Sequence, residues 1–464
     1  MSNDTFVIQG LAGARTLRGE VRINGAKNAV LKAMPAALLF ADTVIVENVP
    51  DTEDVGKMSD LLIGMGVKIT SSIKERKLTI DSSGLTSTDF DHEISKSMRS
   101  SVVATGPILA RYKKVSFPAP GGCVIGERPI DRFIEGYTKM GATVEIKTDL
   151  AGNSRYIITA PKTGLTGAEI IFPFQTVGGT ETLMMAAVLA NGKTVLKNCA
   201  MEPEIGHLAE FLNDCGAKIK GIGTTTIEIH GSGNDKGEPE LLHAKGKSYV
   251  TIADRIETGS FLLLGLLSSN DLKITHCDPS LLEIPITMLR ESISGSGISI
   301  ETGANFIHVK YDTKAHDAKT KDDAIKLKPF NIRTHEYPGF PTDLQAPATV
   351  YLTQATGDSI ILETIFDSRF KYTEDLKNMG ANITVMNPRE ILIKGQSPLK
   401  TPDEETLEAY DIRAGFAIVM AALLAKGRSV IKKVYYIDRG YEHLETRLKA
   451  IGADIQRISG EVEL

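Results

Sequence analysis

A glycine that turns the chain into a strand returns six times, at Gly66, Gly141, Gly216, Gly297, Gly380 and Gly452. The intervals are 75, 75, 81, 83 and 72 residues, which is the mark of one structural unit repeated six times. Ahead of each glycine the apolar residues hold one register, at relative positions 0, 3, 7 and 10. Val55, Met58, Leu62 and Met65 set it; Ile130, Phe133, Tyr137 and Met140 repeat it, as do Ile205, Leu208, Leu212 and Cys215. Ile286, Leu289, Ile293 and the less apolar Ser296 follow, and the last copy is Tyr441, Leu444, Leu448 and Ile451. That spacing is one stripe of an amphipathic helix closed by a glycine C-cap. The fifth copy puts Arg369 at the first position, ahead of Tyr372, Leu376 and Met379. A charge there marks either a functional exception or a helix that starts one turn later.

Each unit also carries a helix apolar on most sides, which must be buried. These segments are 29–40, 101–112, 180–190, 257–267, 344–353 and 413–425. β-Branched runs at 43–46, 194–196 and 359–362 read as the strands that follow them. The expected class is therefore α/β, with helices inside, sheets outside and two lobes of three units each. The glycine-rich turn 231–237 places the lobe boundary there or shortly after, before the fourth buried helix.

At 464 residues, two or three domains are expected. A net charge of −5 with no basic tail argues against non-specific nucleic-acid binding. The apolar runs are too short or interrupted to span a bilayer, and the opening residues are polar rather than signal-like, so a cytoplasmic location with no membrane partner is expected. Four scattered cysteines form no C-x-x-C pair, which argues against a disulfide framework or a zinc site. Cys199, Cys215 and Cys277 read as small core residues.

The residues that open the buried helices are Lys27-Asn28, Met98-Arg99, Thr176 to Gly179, Asp254-Arg255, Pro341-Thr342-Asp343 and Asp411-Ile412-Arg413. Helix N-termini offer unpaired N–H groups and a positive dipole end, and four of these six add Lys or Arg. Starts that share one cleft would bind a phosphorylated or polyanionic substrate, with arginine forks fixing its orientation. Asp254 and Asp411 are equally readable as simple N-caps. Asp343 is a carboxylate among cations, behind the corner Pro338-Gly339-Phe340-Pro341. It reads as a base held at a hydroxyl, as a helix N-cap, or as both. Cys123 stands on a loop of glycine and proline, five residues before Arg128. A thiol near a guanidinium is biased towards the reactive thiolate.

These stretches together closely resemble the UDP-N-acetylglucosamine enolpyruvyl transferases, in the family's order and over nearly the whole chain. The matching motifs are Asn24-Gly25-Ala26-Lys27-Asn28-Ala29, Met98-Arg99-Ser100, Pro120-Gly121-Gly122-Cys123 through Arg128-Pro129-Ile130-Asp131, and Asp254 to Gly259. Pro338 to Asp343, Arg369-Phe370 and Asp411-Ile412-Arg413-Ala414 complete them. The resemblance implies a two-lobed inside-out α/β barrel of six βαβαββ-type repeats. One lobe would span 23–252 and carry the Cys123 loop. The other would join 1–22 to 253–464, with the N-terminal strand in the C-terminal lobe. It implies transfer of the enolpyruvyl group of phosphoenolpyruvate to the 3′-hydroxyl of UDP-N-acetylglucosamine with release of phosphate, the step that starts peptidoglycan precursor synthesis. No cofactor and no metal are implied, and the partners are the two small substrates.

By the same resemblance Lys27, Asn28, Arg128, Arg369 and Arg413 hold phosphoenolpyruvate, Lys27 and Arg413 sharing in catalysis. Asn28, Arg99, Arg128, Pro129, Ile130, Asp131, Thr176, Val177, Gly178, Asp343 and Ile365 contact the nucleotide sugar. Asp343 takes the hydroxyl proton, and Cys123 acts as general acid and is the residue that fosfomycin alkylates in this family. The chain departs from the family pattern at Asp51, Phe174 and Arg132-Phe133, around the nucleotide side. The shikimate-pathway enolpyruvyl transferases lack the Pro-Gly-Gly-Cys loop and carry Lys-Ser in place of Lys27-Asn28. A silent nucleotide-sugar sensor would need neither acid nor base.

Overall fold

A computed structural model describes residues 3–119, 130–149, 152–234, 236–312, 325–402 and 406–460. The chain divides into two compact units. One takes the described residues up to Asn24 and from Ala253 onward; the other takes those between Gly25 and Ile252. Each unit has its own apolar core.

The repeat is visible in the sheets. Among the described residues there are five four-stranded sheets and one three-stranded sheet. Each four-stranded sheet sets one parallel edge strand beside an antiparallel run of three. The three-stranded sheet has only the parallel bridge between Asp89 and Ser116 in that place. Strand Ser248–Val250 pairs with Val44–Glu47, so the end of the second unit's chain returns to its beginning. In the first unit, Leu17–Arg22 runs parallel to Ser269–Thr275, and Thr5–Gln9 lies between Arg428–Lys432 and Asp454–Ile458. The N-terminal strands therefore belong with the C-terminal half of the chain.

The six repeat glycines all have positive φ, from +78° to +111°, the left-handed conformation that a C-capping glycine supplies without steric cost. The stripes before them are buried, as the 3.6-residue period requires: Val55, Met58, Leu62 and Met65 on Glu53–Gly64 and beyond, Ile205, Leu208 and Leu212 on Pro203–Asp214. The fifth helix starts at Thr373, so Arg369 precedes it by one turn, and the guanidinium turns inward instead.

The more apolar helices form the interior. In the first unit Arg255–Ser268, Gln345–Thr353 and Ile412–Leu424 pack on one another. In the second, Thr105–Tyr112 lies against Val177–Val188, and Lys27–Ala36 packs on the 3₁₀ turn Arg99–Ala104. The expected continuous helix over 101–112 opens as this 3₁₀ turn because Pro107 has no N–H to give Val103. Among the described residues no helix is long and apolar enough to cross a membrane.

Candidate active site

Two groups of side chains, one in each unit, carry the polar chemistry. In the first unit, the corner Tyr337–Pro341 delivers the chain into the 3₁₀ turn Thr342–Leu344, which leads into Gln345–Thr353. Asp343 does not cap this turn; its carboxylate faces two arginines. Arg369 Nη2 donates to Oδ1 at 2.8 Å and Arg413 Nε to Oδ2 at 3.3 Å. Both guanidinium groups are buried, while Asp343 keeps 29% of its side chain exposed, so the carboxylate is their accessible edge. Arg369 Nη1 also donates to Thr342 Oγ1 at 2.6 Å.

Arg413 is held from below by the aromatic face of Tyr441, 5.2 Å from its carbon, and Tyr441 in turn shares a hydrogen bond with Ser260. Its Nη1 is buried with no hydrogen-bond partner among the described residues. A buried guanidinium N–H without an acceptor costs a few kcal/mol unless a ligand supplies one. Burial works to discharge Arg413, but Tyr441, Asp343 and Asp254 outweigh it and raise its pKa. Arg369 behaves alike: burial opposes its charge, and Asp343, Asp411 and Glu363 more than restore it. Both remain cationic, as an anion site requires.

Asp254 and Asp411 are N-caps. Asp254 accepts from the Ile256 and Glu257 N–H groups, and Asp411 from those of Arg413 and Ala414. Asp411 thereby fixes the helix start from which the Arg413 side chain departs.

In the second unit, Lys27 opens Lys27–Ala36 and its Nζ lies 3.0 Å from Asp54 Oδ2, both side chains nearly fully buried. Asn28 beside it is half-buried, as is Arg99 at the start of its 3₁₀ turn. Thr176 caps Val177–Val188 by accepting from Gly179 N at 3.2 Å, leaving the Val177 and Gly178 first turn partly exposed. Asp131 opens Asp131–Lys139, exposed, after the buried Ile130. That helix packs against Val177–Val188, and Phe133 fills the space beside Gly178, where a Cβ would meet its ring at 3.3 Å. Arg132 lies over the exposed Phe174 ring at 5.6 Å. Two of the departures from the family pattern are thus neighbours in space.

The structure brings Asp343, Arg369 and Arg413 into one cluster and keeps Ile365 close by, two residues past Glu363. It sets Asp131 and Thr176 to Gly178 on two packed helices. Cys123, Arg128 and Pro129 lie outside the described residues. Sequence reasoning missed Thr342 and Asp54, the direct partners of Arg369 and Lys27, and Glu363 behind them. Their only signals were position: Thr342 beside Asp343, Asp54 in a helix's first turn, and Glu363 just after an apolar strand. Cys199, Cys215 and Cys277 are buried, and burial pushes each thiol up to about 11, which leaves them unreactive core residues.

Residues 11–448 match the family described as EPSP synthase (3-phosphoshikimate 1-carboxyvinyltransferase). A UDP-N-acetylglucosamine 1-carboxyvinyltransferase of Koribacter versatilis is 40% identical over 457 residues, covering 98% of this chain and 96% of its own. One from Acinetobacter baylyi is 38% identical, covering 98% and 100%. Among solved structures, the enolpyruvyl transferase NikO from Streptomyces tendae superposes with a TM-score of 0.80 at 21% identity, covering 99% of this chain and 100% of that one. EPSP synthase from Acinetobacter baumannii superposes with a TM-score of 0.69 at 18% identity, covering 98% and 100%, so the fold is common to both.

Proposed function

This chain belongs to the EPSP synthase family and, within it, to the UDP-N-acetylglucosamine 1-carboxyvinyltransferases, and on that premise we propose the reaction it carries out. It transfers the enolpyruvyl group of phosphoenolpyruvate to the 3′-hydroxyl of UDP-N-acetylglucosamine and releases phosphate. The observation that carries this reading is the carboxylate of Asp343 held between Arg369 and Arg413, with the buried Arg413 Nη1 lacking a partner among the described residues.

Arg369 and Arg413, with Lys27 and Arg128, take the carboxylate and phosphate groups of phosphoenolpyruvate. An arriving anion competes for the two guanidinium groups that otherwise engage both oxygens of Asp343. That competition frees carboxylate lone pairs for the sugar hydroxyl, so substrate binding itself switches on the base. Asp343 then accepts the hydroxyl proton as the oxygen bonds to C2 of phosphoenolpyruvate. Cys123 gives a proton to C3, which becomes a methyl group. The resulting tetrahedral carbon still carries phosphate. Loss of a methyl proton and cleavage of the C2–O bond to phosphate restore the double bond as an enol ether. Fixed cations favour both the addition and the departure of phosphate, because they are already oriented where negative charge collects.

Asn28, Arg99, Arg128, Pro129, Ile130, Asp131, Thr176, Val177, Gly178, Asp343 and Ile365 position the nucleotide sugar. The two domains of the reading span 23–252 and 1–22 with 253–464. The proposal includes a cytoplasmic setting at the start of peptidoglycan synthesis, with Cys123 the target of fosfomycin. Phosphate release measured with phosphoenolpyruvate and either UDP-N-acetylglucosamine or shikimate 3-phosphate tests it. Release with the nucleotide sugar alone is expected; release only with shikimate 3-phosphate, or with neither, refutes it.

A further inference from the structure

Glu363 directly follows the strand Asp358–Leu362 and is fully buried. A carboxylate in such a place must be fully hydrogen-bonded, and this one is. Its Oε1 accepts from the N–H groups of Ile365 and Phe366, at 2.9 and 3.1 Å, and from Thr334 Oγ1 at 3.0 Å. Its Oε2 accepts from Thr342 Oγ1 at 2.8 Å. A threonine hydroxyl has one proton to give. Since that proton goes to Glu363, the Thr342 oxygen turns its lone pairs outward, and Arg369 Nη1 donates to it at 2.6 Å. The other Arg369 amino group meets Asp343 Oδ1.

We propose that Glu363 is a positioning residue: by fixing the proton of Thr342, it sets the orientation of Arg369 and so of the Asp343 carboxylate. The inference rests on the functional reading above and extends it to a residue that touches no substrate. Without the carboxylate, Thr342 is free to donate towards Arg369, where two donors would oppose each other.

Glu363→Gln tests this with little change in shape. The amide oxygen takes the three donors at the Oε1 position, and the amide NH₂ faces Thr342 as a donor. The hydroxyl proton must then turn elsewhere. Glu363→Gln and Thr342→Val are each expected to lower kcat for phosphate release about tenfold or more. The double variant is expected to lose no more than Thr342→Val alone, since Glu363 acts through that hydroxyl. Thr342→Ser, which restores the hydroxyl, recovers most of the rate.

Losses that multiply in the double variant overturn the proposal, because they mean that Glu363 acts through the Ile365 and Phe366 backbone instead. So does a Glu363→Gln protein with wild-type kcat. Should Glu363→Gln fail to fold, as judged by its melting curve, the Thr342→Ser and Thr342→Val pair decides: equal rates overturn the proposal. Wild-type protein that releases no phosphate refutes the functional reading and this inference with it. An active wild type with multiplying losses refutes only the inference.

Discussion

Arg413 Nε donates to Asp343 Oδ2 at 3.3 Å while Nη1 of the same guanidinium, buried, has no partner among the described residues. One edge of the fork is satisfied inside the protein, and in the proposed reaction the other takes the substrate anion. Lysine carries the same charge but as a point, on a shorter donor set. Arg413→Lys is therefore expected to raise KM for phosphoenolpyruvate and lower kcat/KM by about a hundredfold, near 2.7 kcal/mol. Steady-state phosphate release checks this; a change below threefold would show that the fork is not used.

Asp343 is the counter-anion of two buried arginines as well as the proposed base. Asp343→Asn removes the charge but keeps the shape, leaving Arg369 and Arg413 to repel each other. Turnover is expected to fall by at least a thousandfold, and the melting temperature to drop as well, by the equivalent of about 3 kcal/mol before exposure of the site is discounted. Added phosphoenolpyruvate should then stabilise the variant more than the wild type, because the ligand anion replaces the lost one. A smaller ligand-induced shift in the variant than in the wild type would contradict this account.

How far the site was legible depends on whether its residues announce themselves locally. The six-unit architecture was, because a glycine C-cap and a buried stripe are local features and recur. Lys27, Arg99, Asp343 and Arg413 stood out as charges at the starts of apolar helices. Arg369 stood out as a charge where its siblings are apolar: the helix does start a turn later, and the arginine turns inward to Asp343. Asp54 and Glu363 did not stand out. Their partners lie 27 and 21 residues away, brought near by the packing of Lys27–Ala36 on Glu53–Gly64 and by the Tyr337–Pro341 corner, which no local pattern encodes. Asp254 and Asp411 share with Asp343 the N-cap reading of a carboxylate at a buried helix's start, and only these two serve as caps. Only the direction of the side chain separates these cases.

Phe174, where the resemblance marks a departure on the nucleotide side, stands two residues before the Thr176 cap, with Arg132 over its ring. It is 51% exposed, so a lysine there would meet no packing constraint. Phe174→Lys is expected to lower KM for UDP-N-acetylglucosamine about three- to tenfold at low salt, with kcat unchanged. The gain should vanish near ~0.5 M salt, where surface charges are screened within a few ångströms. A KM that is lower at every salt concentration would point to a contact with the lysine stem instead of its charge.

Glu181 is fully buried in Val177–Val188. Burial pushes its carboxyl up from an ordinary 4.5 to about 7, with Glu204 and Glu202 adding to the rise and Lys32 opposing it. Lys32 Nζ is 3.2 Å away, close enough for charge compensation, though among the described residues no aligned hydrogen bond reaches the carboxylate. The folded state therefore holds this proton more tightly than the unfolded chain. The stabilisation is complete below about pH 4.5 and is lost as pH rises to about 7, on the order of 3 kcal/mol in all. Melting curves between pH 5 and 8 should show this decline against Glu181→Gln, which does not titrate. Parallel curves for the two proteins would remove Glu181 as its source.

Gly25 precedes Lys27 by two residues in a segment fixed on both sides. Ala26 N donates to Ile252 O at 2.7 Å, and Asn48, whose carbonyl faces Gly25, is itself anchored by its side chain to Thr251 O at 2.9 Å. A Cβ on Gly25 would fall 1.8 Å from Asn48 O, so alanine cannot enter without moving the backbone that carries Lys27. A displacement of about 1 Å in a group that holds substrate costs on the order of a hundredfold in rate. Gly25→Ala should therefore fold with a lowered melting temperature and release phosphate about a hundred times more slowly. Gly64, in the helix Glu53–Gly64, has nothing within 4 Å of the corresponding position. Gly64→Ala should be neutral to turnover and stabilising by about 0.5–1 kcal/mol. Equal turnover in the two variants would mean that the approach of Gly25 to Asn48 plays no part in placing Lys27.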